Sequence, residues 1–176
     1  DVPLIGIVAR LDPIKNHKMF LESAALLVKK HENVRFLIVG NGELKYRQAL
    51  EKTAENFELS QRVTWLPTTK NIVGIYNALT ITTLCSFSEA FPNVIAESMA
   101  CGTLCVVTDV GDTKQILQNT GQIIGSFYPE DLVQAWEKLL CVSIKELSEQ
   151  KDIARTHICE SYSNEIMVKK TLDCCE

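Results

Sequence analysis

Short apolar runs alternate along the chain with longer segments in which apolar residues recur every three or four positions. Runs of apolar and β-branched residues favour buried β-strands, whereas the longer spacing is typical of amphipathic helices. The pattern predicts strands at Leu4–Ala9, Val34–Val39, Arg62–Leu66, Thr80–Cys85, Leu104–Thr108 and Ile123–Ile124. It predicts helices at His17–Lys30, Glu43–Asn56, Asn71–Leu79, Asn93–Ala100, Asp112–Gln118, Pro129–Leu140, Ile144–Glu160 and Asn164–Cys174.

The regular alternation of strand and helix indicates an α/β domain with a parallel sheet. Strands that are apolar along their length indicate a sheet covered by helices on both faces. Right-handed crossovers then give a Rossmann-like, doubly wound sheet, here of about six strands. We therefore expect residues 1–176 to form a single domain of this class.

Most of the residues able to bind a ligand stand at the ends of the predicted strands. Arg10 follows the first strand, Gly40 follows the second, Leu66 ends the third, and the segment 86–93 follows the fourth. The carboxyl ends of parallel strands lie at one edge of the sheet, and ligands of doubly wound domains bind there. The sequence therefore predicts one binding site built from these loops.

Composition and charge exclude several classes of function. No apolar run approaches the roughly 20 residues that a membrane-spanning helix needs. The net charge of −4 argues against general nucleic-acid binding, which requires a broad basic surface. The seven cysteines form neither a C-x-x-C pair nor a zinc-ligand pattern. We expect them to be buried, free thiols in a reducing cytoplasm, and we expect no bound metal.

The segment Ser88–Gly102 carries the strongest signal for a ligand site. Glu89 lies in a loop, Glu97 lies within the following helix, and Pro92 marks the helix start between them. The first N–H groups of a helix are unpaired and lie at the positive end of its dipole, which suits a phosphate. This junction can hold a diphosphate beside two carboxylates that suit sugar and ribose hydroxyls. The alternative is that both glutamates are ordinary solvated charges.

This segment resembles the E-x7-E motif of retaining, GT-B-type glycosyltransferases of group 1, which transfer sugars from nucleotide diphosphates. The residues Phe91–Val94 inside the motif and Met99–Gly102 at its end strengthen the resemblance. The resemblance covers almost the whole chain, which is similar to the C-terminal, donor-binding half of a family 4 enzyme. It implies that an N-terminal acceptor domain lies outside this chain, and that the isolated domain is inactive.

The resemblance also implies a role for each candidate residue. Arg10 and Lys15 would bind the donor diphosphate and stabilise the leaving group, with Ala9 standing where relatives usually carry glycine. Glu89 would orient the donor sugar and help to stabilise positive charge at its anomeric carbon. The catalytic set that the resemblance implies is therefore Glu89, Arg10 and Lys15. Glu97 would accept hydrogen bonds from the ribose hydroxyls. The donor-binding set is Gly40, Leu66, Phe91, Pro92, Asn93, Val94 and Glu97.

The partners that the resemblance implies are a nucleotide-diphosphate sugar as co-substrate and an acceptor bound by the missing domain. The acceptor is a glycan, a glycolipid or a small molecule. Cations and the helix dipole would replace a metal, so no cofactor is expected. A cytoplasmic location is expected, and peripheral attachment of the full-length protein to the inner face of a membrane stays open.

Two alternatives share this fold class. A non-catalytic nucleotide-sugar-binding or regulatory module would keep the pocket without turnover, and an epimerase of nucleotide sugars has a related architecture. The complete set of Arg10, Lys15, Glu89 and Glu97 favours the enzyme. Structural roles are expected for four nearby residues: His17, Trp65, Gly111 and Asp112. For Asp112 the expected role is to cap the following helix.

Overall fold

The computed structural model describes residues 2–173, apart from the side chains at positions 144, 164, 167, 170 and 171. The strands are β1 (Leu4–Val8), β2 (Arg35–Val39), β3 (Val63–Leu66), β4 (Ile81–Leu84), β5 (Leu104–Thr108) and β6 (Gly121–Ile124). The helices are α1 (His17–Leu27), α2 (Leu44–Asn56), α3 (Ile72–Ala78), α4 (Asn93–Ala100), α5 (Thr113–Leu117), α6 (Pro129–Leu140), α7 (Ile144–Tyr162) and α8 (Asn164–Asp173). Within this described range, none of the helices is long and apolar enough to cross a membrane.

The six strands form one parallel sheet in the order β3-β2-β1-β4-β5-β6. The chain runs outward from β1 to β3 and then returns across the sheet to β4, which pairs with β1 through Ile5 and Ile81. The prediction of a Rossmann-like α/β domain with about six parallel strands is confirmed. The strand order reverses between β1 and β4, and the loops after these two strands therefore flank the point where such domains bind ligands.

Helices cover both faces of the sheet, because successive side chains of a strand point to opposite faces. Phe36 on β2 points to one face, where its ring contacts Phe20 of α1 and Trp136 of α6. The next residue, Leu37, points to the other face and packs in a cluster with Tyr76 of α3. The apolar strands that the sequence displays are thus buried between two helical layers.

Two threonines of β4 connect the sheet to a helix on each face. The indole N–H of Trp136 donates a hydrogen bond of 2.9 Å to Oγ1 of Thr83. On the opposite face, the hydroxyls of Thr82 and Ser98 lie 2.6 Å apart. Both bonds are buried, so each satisfies a polar group that would otherwise cost stability. The second bond fixes α4, the helix that contains Glu97.

The boundaries of several elements differ from the prediction. α1 ends at Leu27 rather than at Lys30, because the chain turns there and the Lys30 N–H donates to the Leu27 carbonyl. β6 begins at Gly121, where it pairs with Cys105 of β5. A short 3-10 helix, Pro13–Lys15, lies between β1 and α1 and was absent from the prediction. The predicted end of the last helix, at Cys174, lies outside the described residues.

The cysteines divide into two groups. Cys85 and Cys105 are buried free thiols, as predicted, and burial raises the pKa of each to about 12. The prediction of burial is wrong for Cys141 and Cys159, which are free and exposed, and Cys101 is half-buried. Cys174 and Cys175 lie outside the described residues. The two buried thiols are therefore neutral at physiological pH and are weak nucleophiles.

α2 ends in a Schellman motif that contains glutamate where glycine is usual. Glu58 has φ +59°, its N–H donates to the Glu55 carbonyl, and the N–H of Leu59 donates to the Ala54 carbonyl. A side chain in this left-handed region is strained, and glycine avoids the strain.

We expect Glu58→Gly to raise the free energy of unfolding by about 0.5–1 kcal/mol, measured by urea denaturation. Glu55→Gly is the control, because it places glycine inside the last turn of the same helix. This control is expected to lower the free energy of unfolding by about 1 kcal/mol. A loss of stability in both variants would contradict the prediction.

Candidate functional site

The loops after β1 and β4 meet at the carboxyl edge of the sheet and line one pocket. Its volume is about 360 Å³. Arg10 and Lys15 line the pocket from the first loop, and Glu89 lines it from the second. The other lining residues are Val8, Ala9, Leu84, Phe91, Pro92, Asn93 and Val94. The structure thus brings together the residues predicted as catalytic and most of those predicted to bind the donor.

A short ion pair connects the two loops across this pocket. Nζ of Lys15 lies 2.6 Å from Oε1 of Glu89, and the two side chains are only 22% and 12% exposed. The buried hydroxyl of Ser86 donates a second hydrogen bond of 2.7 Å to the same oxygen. No residue in the described part of the chain donates a hydrogen bond to Oε2 of Glu89. This second oxygen is therefore free to accept a hydrogen bond from a ligand.

The local sequence before α1 fixes the position of Lys15. The Asp12 carboxylate accepts a hydrogen bond from the N–H of Ile14, and Pro13 starts the 3-10 helix with a preset φ. Asn16 then adopts a left-handed backbone, with φ +52°, and its side chain caps α1. Lys15 is the last residue of this 3-10 helix, between the Asp12 and Asn16 caps. The short helix therefore fixes the backbone of Lys15 beside the pocket that its side chain lines.

Arg10 borders a second pocket that adjoins the first. This pocket has a volume of about 430 Å³ and shares Val8, Ala9, Arg10 and Val94 with the first. The guanidinium of Arg10 lies 2.9 Å from the Asp12 carboxylate, and the Arg10 side chain is 70% exposed. Arg10 is therefore accessible to a ligand in either pocket, whereas Lys15 is held in the wall of one.

The loops after β2 and β3 form the far side of the second pocket. Gly40 lines it, and a Cβ at this position would lie 1.9 Å from the carbonyl oxygen of Ala9. Leu66 lies outside the lining of both pockets, and its carbonyl accepts a hydrogen bond from the N–H of Gly40. Thr69 and Ile72 line the pocket and were missed by the sequence reasoning. Their place shortly after a strand is the signal that could have found them.

α4 begins at the junction of the two pockets. Pro92 occupies the N-cap position, and within residues 2–173 no side chain caps this helix. The N–H of Asn93 donates to the Phe91 carbonyl, and the N–H of Ile95 donates to the Pro92 carbonyl. Val94 lines both pockets. The positive end of the α4 dipole therefore lies where the two pockets meet.

Glu97 lies one turn further along α4, outside the lining of these two pockets. It lines a separate hollow of about 320 Å³ together with Asn93 and Tyr162. Its Oε2 accepts a 2.9 Å hydrogen bond from the hydroxyl of Tyr76, a residue that is completely buried. Burial and the neighbouring Glu97 raise the pKa of Tyr76 far above its usual value, so the phenol stays protonated. The sequence reasoning missed Tyr76, because an apolar helix position gives no sign of this contact.

The loop after β5 supports the loop that carries Glu89. Gly111 has φ +54°, and a Cβ there would lie 2.3 Å from the carbonyl oxygen of Ala90. The N–H of Asp112 donates a 3.0 Å hydrogen bond to the same carbonyl. Asp112 occupies the N-cap position of α5, but its side chain makes no capping bond with any residue the structure describes. The predicted capping role of the Asp112 side chain is therefore wrong, and its backbone N–H makes the supporting contact.

His17 is the first residue of α1 and follows the 3-10 helix that carries Lys15. It is fully buried, its ring lies edge-on to Tyr46, and neither ring nitrogen has a hydrogen-bond partner among the described residues. Burial, and then the charge of Lys15, lower the pKa of His17 to about 4. A neutral imidazole that fills the space below the turn fits the structural role expected for this residue.

We expect His17 to make the free energy of unfolding depend on pH between about 6.5 and about 4. In this window the unfolded chain binds a proton that the folded chain excludes, so stability falls as the pH falls, by up to about 1.4 kcal/mol per pH unit. Above this window both states are neutral at His17 and no stability is lost. Urea unfolding across the window should give a flatter curve for His17→Phe. Tyr46→Phe keeps the imidazole and should keep the slope of the parent, and an unchanged slope in His17→Phe would contradict the prediction.

The charges around the two pockets indicate which ligands they can bind. Arg10, Lys15 and the start of α4 supply positive charge, which suits a diphosphate. Glu89 supplies a free carboxylate oxygen in the first pocket, which suits a hydroxyl. No group of three or more His, Cys, Asp or Glu side chains in residues 2–173 is arranged to hold a metal ion.

Comparison with known proteins finds similarity over most of the chain. The family model of group 1 glycosyl transferases matches residues 2–141. A D-inositol 3-phosphate glycosyltransferase of Gordonia bronchialis is 31% identical over 165 residues, which are 88% of this chain and 36% of that relative. The chain thus spans about a third of the length of the curated relatives it matches.

Solved structures show the same fold at low sequence identity. A glycosyltransferase of Rickettsia africae superposes with a TM-score of 0.91 at 21% identity, over 99% of this chain and 47% of that one. Anabaena HepE, solved with UDP and glucose, gives a TM-score of 0.86 at 18% identity, over 97% of this chain and 48% of that one. The α/β domain described above has the architecture of one half of a GT-B glycosyltransferase. Because the family match covers most of the chain, the protein belongs to the group 1 glycosyltransferases.

Proposed function

We propose that this domain binds a nucleotide-diphosphate sugar and that the full-length protein transfers the sugar to an acceptor hydroxyl with retained anomeric configuration. The observation that carries the proposal is the Lys15–Glu89 ion pair beside the start of α4. The pair joins a cation and a carboxylate in the lining of one pocket, and these two groups suit a leaving diphosphate and a sugar hydroxyl. The relative named D-inositol 3-phosphate glycosyltransferase and the neighbour solved with UDP and glucose support the proposal.

The diphosphate is assigned to Arg10, Lys15 and the start of α4. Lys15 Nζ carries three N–H donors, so it can keep its bond to Glu89 and still donate to a phosphate oxygen. Arg10 reaches both pockets and can bind two phosphate oxygens at once. Negative charge grows on the diphosphate as the glycosidic bond breaks. Cations and helix N–H groups that are already in place stabilise this charge without reorganisation.

The donor sugar is assigned to the first pocket, beside Glu89. Oε1 of Glu89 is held by Lys15 and Ser86, which leaves Oε2 for a sugar hydroxyl. The side chain is 12% exposed, so its negative charge is only weakly screened by solvent. A carboxylate at this place also stabilises positive charge that develops at the anomeric carbon.

The nucleoside is assigned to the second pocket and to α4. Gly40 lines this pocket after β2 and Thr69 lines it after β3, while the Leu66 carbonyl holds the Gly40 N–H from outside the lining. Glu97 is assigned to the ribose hydroxyls, on the far side of the α4 start. Charge on the leaving group is offset by side chains and helix N–H groups in this proposal, which requires no metal and no further cofactor. The acceptor binds outside this domain.

The proposal is tested by titrating the 176-residue chain calorimetrically with UDP, GDP and ADP and with their glucose conjugates. We expect one of the three nucleotides to bind with a dissociation constant at or below the millimolar range, and we expect binding to persist in EDTA. A chain that binds none of the six compounds would refute donor binding. Loss of binding in EDTA would refute the metal-independent form of the proposal.

A further inference from the structure

We propose that Tyr76 is a positioning residue that gives the donor site its preference for a ribonucleotide. The inference rests on the proposed function, in which Glu97 binds the ribose hydroxyls, and extends it to a residue that does not touch the ligand. Tyr76 lies on α3 and is 21 positions before Glu97 in the sequence. Its only described side-chain bond, at 2.9 Å, is the one that its hydroxyl donates to Oε2 of Glu97.

Tyr76 and Glu97 differ in how strongly the surrounding structure constrains their side chains. Glu97 is exposed, so its side chain alone would sample several rotamers in solvent. Tyr76 is completely buried, and its backbone carbonyl accepts a 2.7 Å hydrogen bond from the hydroxyl of Thr103. A buried phenol therefore holds one oxygen of an exposed carboxylate. The bond satisfies the hydroxyl of a buried side chain, and it limits the positions that the Glu97 carboxylate can adopt.

The bond from Tyr76 also occupies only one of the two carboxylate oxygens of Glu97. Oε2 of Glu97 accepts from Tyr76, and no residue in the described range donates to Oε1. Glu89 shows the same division, because Lys15 and Ser86 both bind its Oε1 and leave Oε2 open. In each case a buried hydroxyl fixes one carboxylate oxygen, and no residue in the described range donates a hydrogen bond to the other. Fixing the orientation before binding lowers the entropy that is lost when the ligand binds.

The test uses Tyr76→Phe, which keeps the buried ring and removes only the hydroxyl. Calorimetry compares UDP, GDP and ADP with their 2′-deoxy and 3′-deoxy forms on the parent chain and on the variant. The parent is expected to bind at least one ribonucleotide more tightly than its deoxy forms. In Tyr76→Phe this preference is expected to shrink by about 2- to 10-fold, the range that corresponds to ordering one long side chain.

Thr103→Val is the matched control. It removes a buried hydroxyl bond at the Tyr76 backbone but leaves the bond to Glu97, so it should keep the ribose preference of the parent. Glu97→Ala, at an exposed position, is the second variant if Tyr76→Phe folds poorly. It is expected to abolish the preference, and an unchanged preference would overturn the inference.

The remaining outcomes separate this inference from the proposed function. Equal losses of ribo and deoxy affinity in Tyr76→Phe, or no loss, would overturn the positioning role and leave donor binding intact. A parent chain that binds a diphosphate without distinguishing ribose from deoxyribose would refute the ribose role of Glu97, and this inference with it. A parent that binds none of the diphosphates would refute the proposed function itself.

Discussion

Replacing Lys15 by methionine is expected to weaken the binding of a nucleoside diphosphate by about 2–4 kcal/mol, which is about 30- to 1,000-fold in the dissociation constant. The substitution removes a cation that is only 22% exposed and that bonds Glu89 at 2.6 Å. It therefore takes away both the proposed phosphate contact and the partner of a largely buried carboxylate, whose uncompensated charge then repels the diphosphate. Calorimetric titration with the nucleotide that the parent chain binds gives the change directly.

Lys18→Met is the matched control for this prediction. Lys18 is three positions away on α1, is 70% exposed, and forms a 3.6 Å ion pair with Glu22 one turn later. The two variants change the net charge equally, so a general electrostatic effect would appear in both. We expect the dissociation constant of Lys18→Met to stay within about 3-fold of the parent, as for an exposed pair. A Lys15→Met chain that binds as well as Lys18→Met would refute the assignment of Lys15 to the proposed donor site.

Replacing Trp136 by alanine is expected to lower the free energy of unfolding by about 3–5 kcal/mol. The indole is fully buried, contacts the rings of Phe20 and Phe36, and donates a hydrogen bond to Thr83. Its removal opens a cavity between α1, α6 and the sheet and leaves a buried hydroxyl without its donor. A domain of this size has about 5–15 kcal/mol of stability in total. The variant should therefore unfold at a much lower urea concentration, measured by far-ultraviolet circular dichroism.

Trp65→Ala is the control, because Trp65 is the other tryptophan of the chain and only half-buried. Its ring lies 6.0 Å from the guanidinium of Arg47, near the surface of the domain. We expect a loss of about 1–2 kcal/mol for this variant. Trp136→Phe should lie between the two, because it keeps an aromatic ring but loses the bond to Thr83. Equal losses for the two alanine variants would show that Trp136 has no special place in the core.

The sheet was predictable because its signal is local. Each strand of a doubly covered parallel sheet is an apolar run, and runs such as Leu104–Thr108 appear directly in the sequence. The meeting of Arg10, Lys15 and Glu89 was predictable for a related reason. All three follow strands whose carboxyl ends must lie at the same edge once the sheet is parallel.

Features that depend on contacts between helices were not predictable. The bond from Tyr76 to Glu97 joins two helices, and neither local pattern shows it. The burial of His17 depends on Tyr46 of the next helix.

The αL residue Glu58 lacks the glycine that usually signals such a turn. Asp112 has the residue type and the position of a helix cap, yet its bond to Ala90 comes from the backbone.

The close approach of Gly111 to Ala90 limits how the proposed donor site can be redesigned. A methyl group at position 111 would collide with two carbonyl oxygens, 2.3 Å and 2.4 Å away, in the segment that bears Glu89. Mutant libraries that aim at new sugar specificity should therefore leave position 111 constant, even though Gly111 lines neither pocket. The loops after β4 and β5 should also be varied together, because the N–H of Asp112 in one donates to the Ala90 carbonyl in the other.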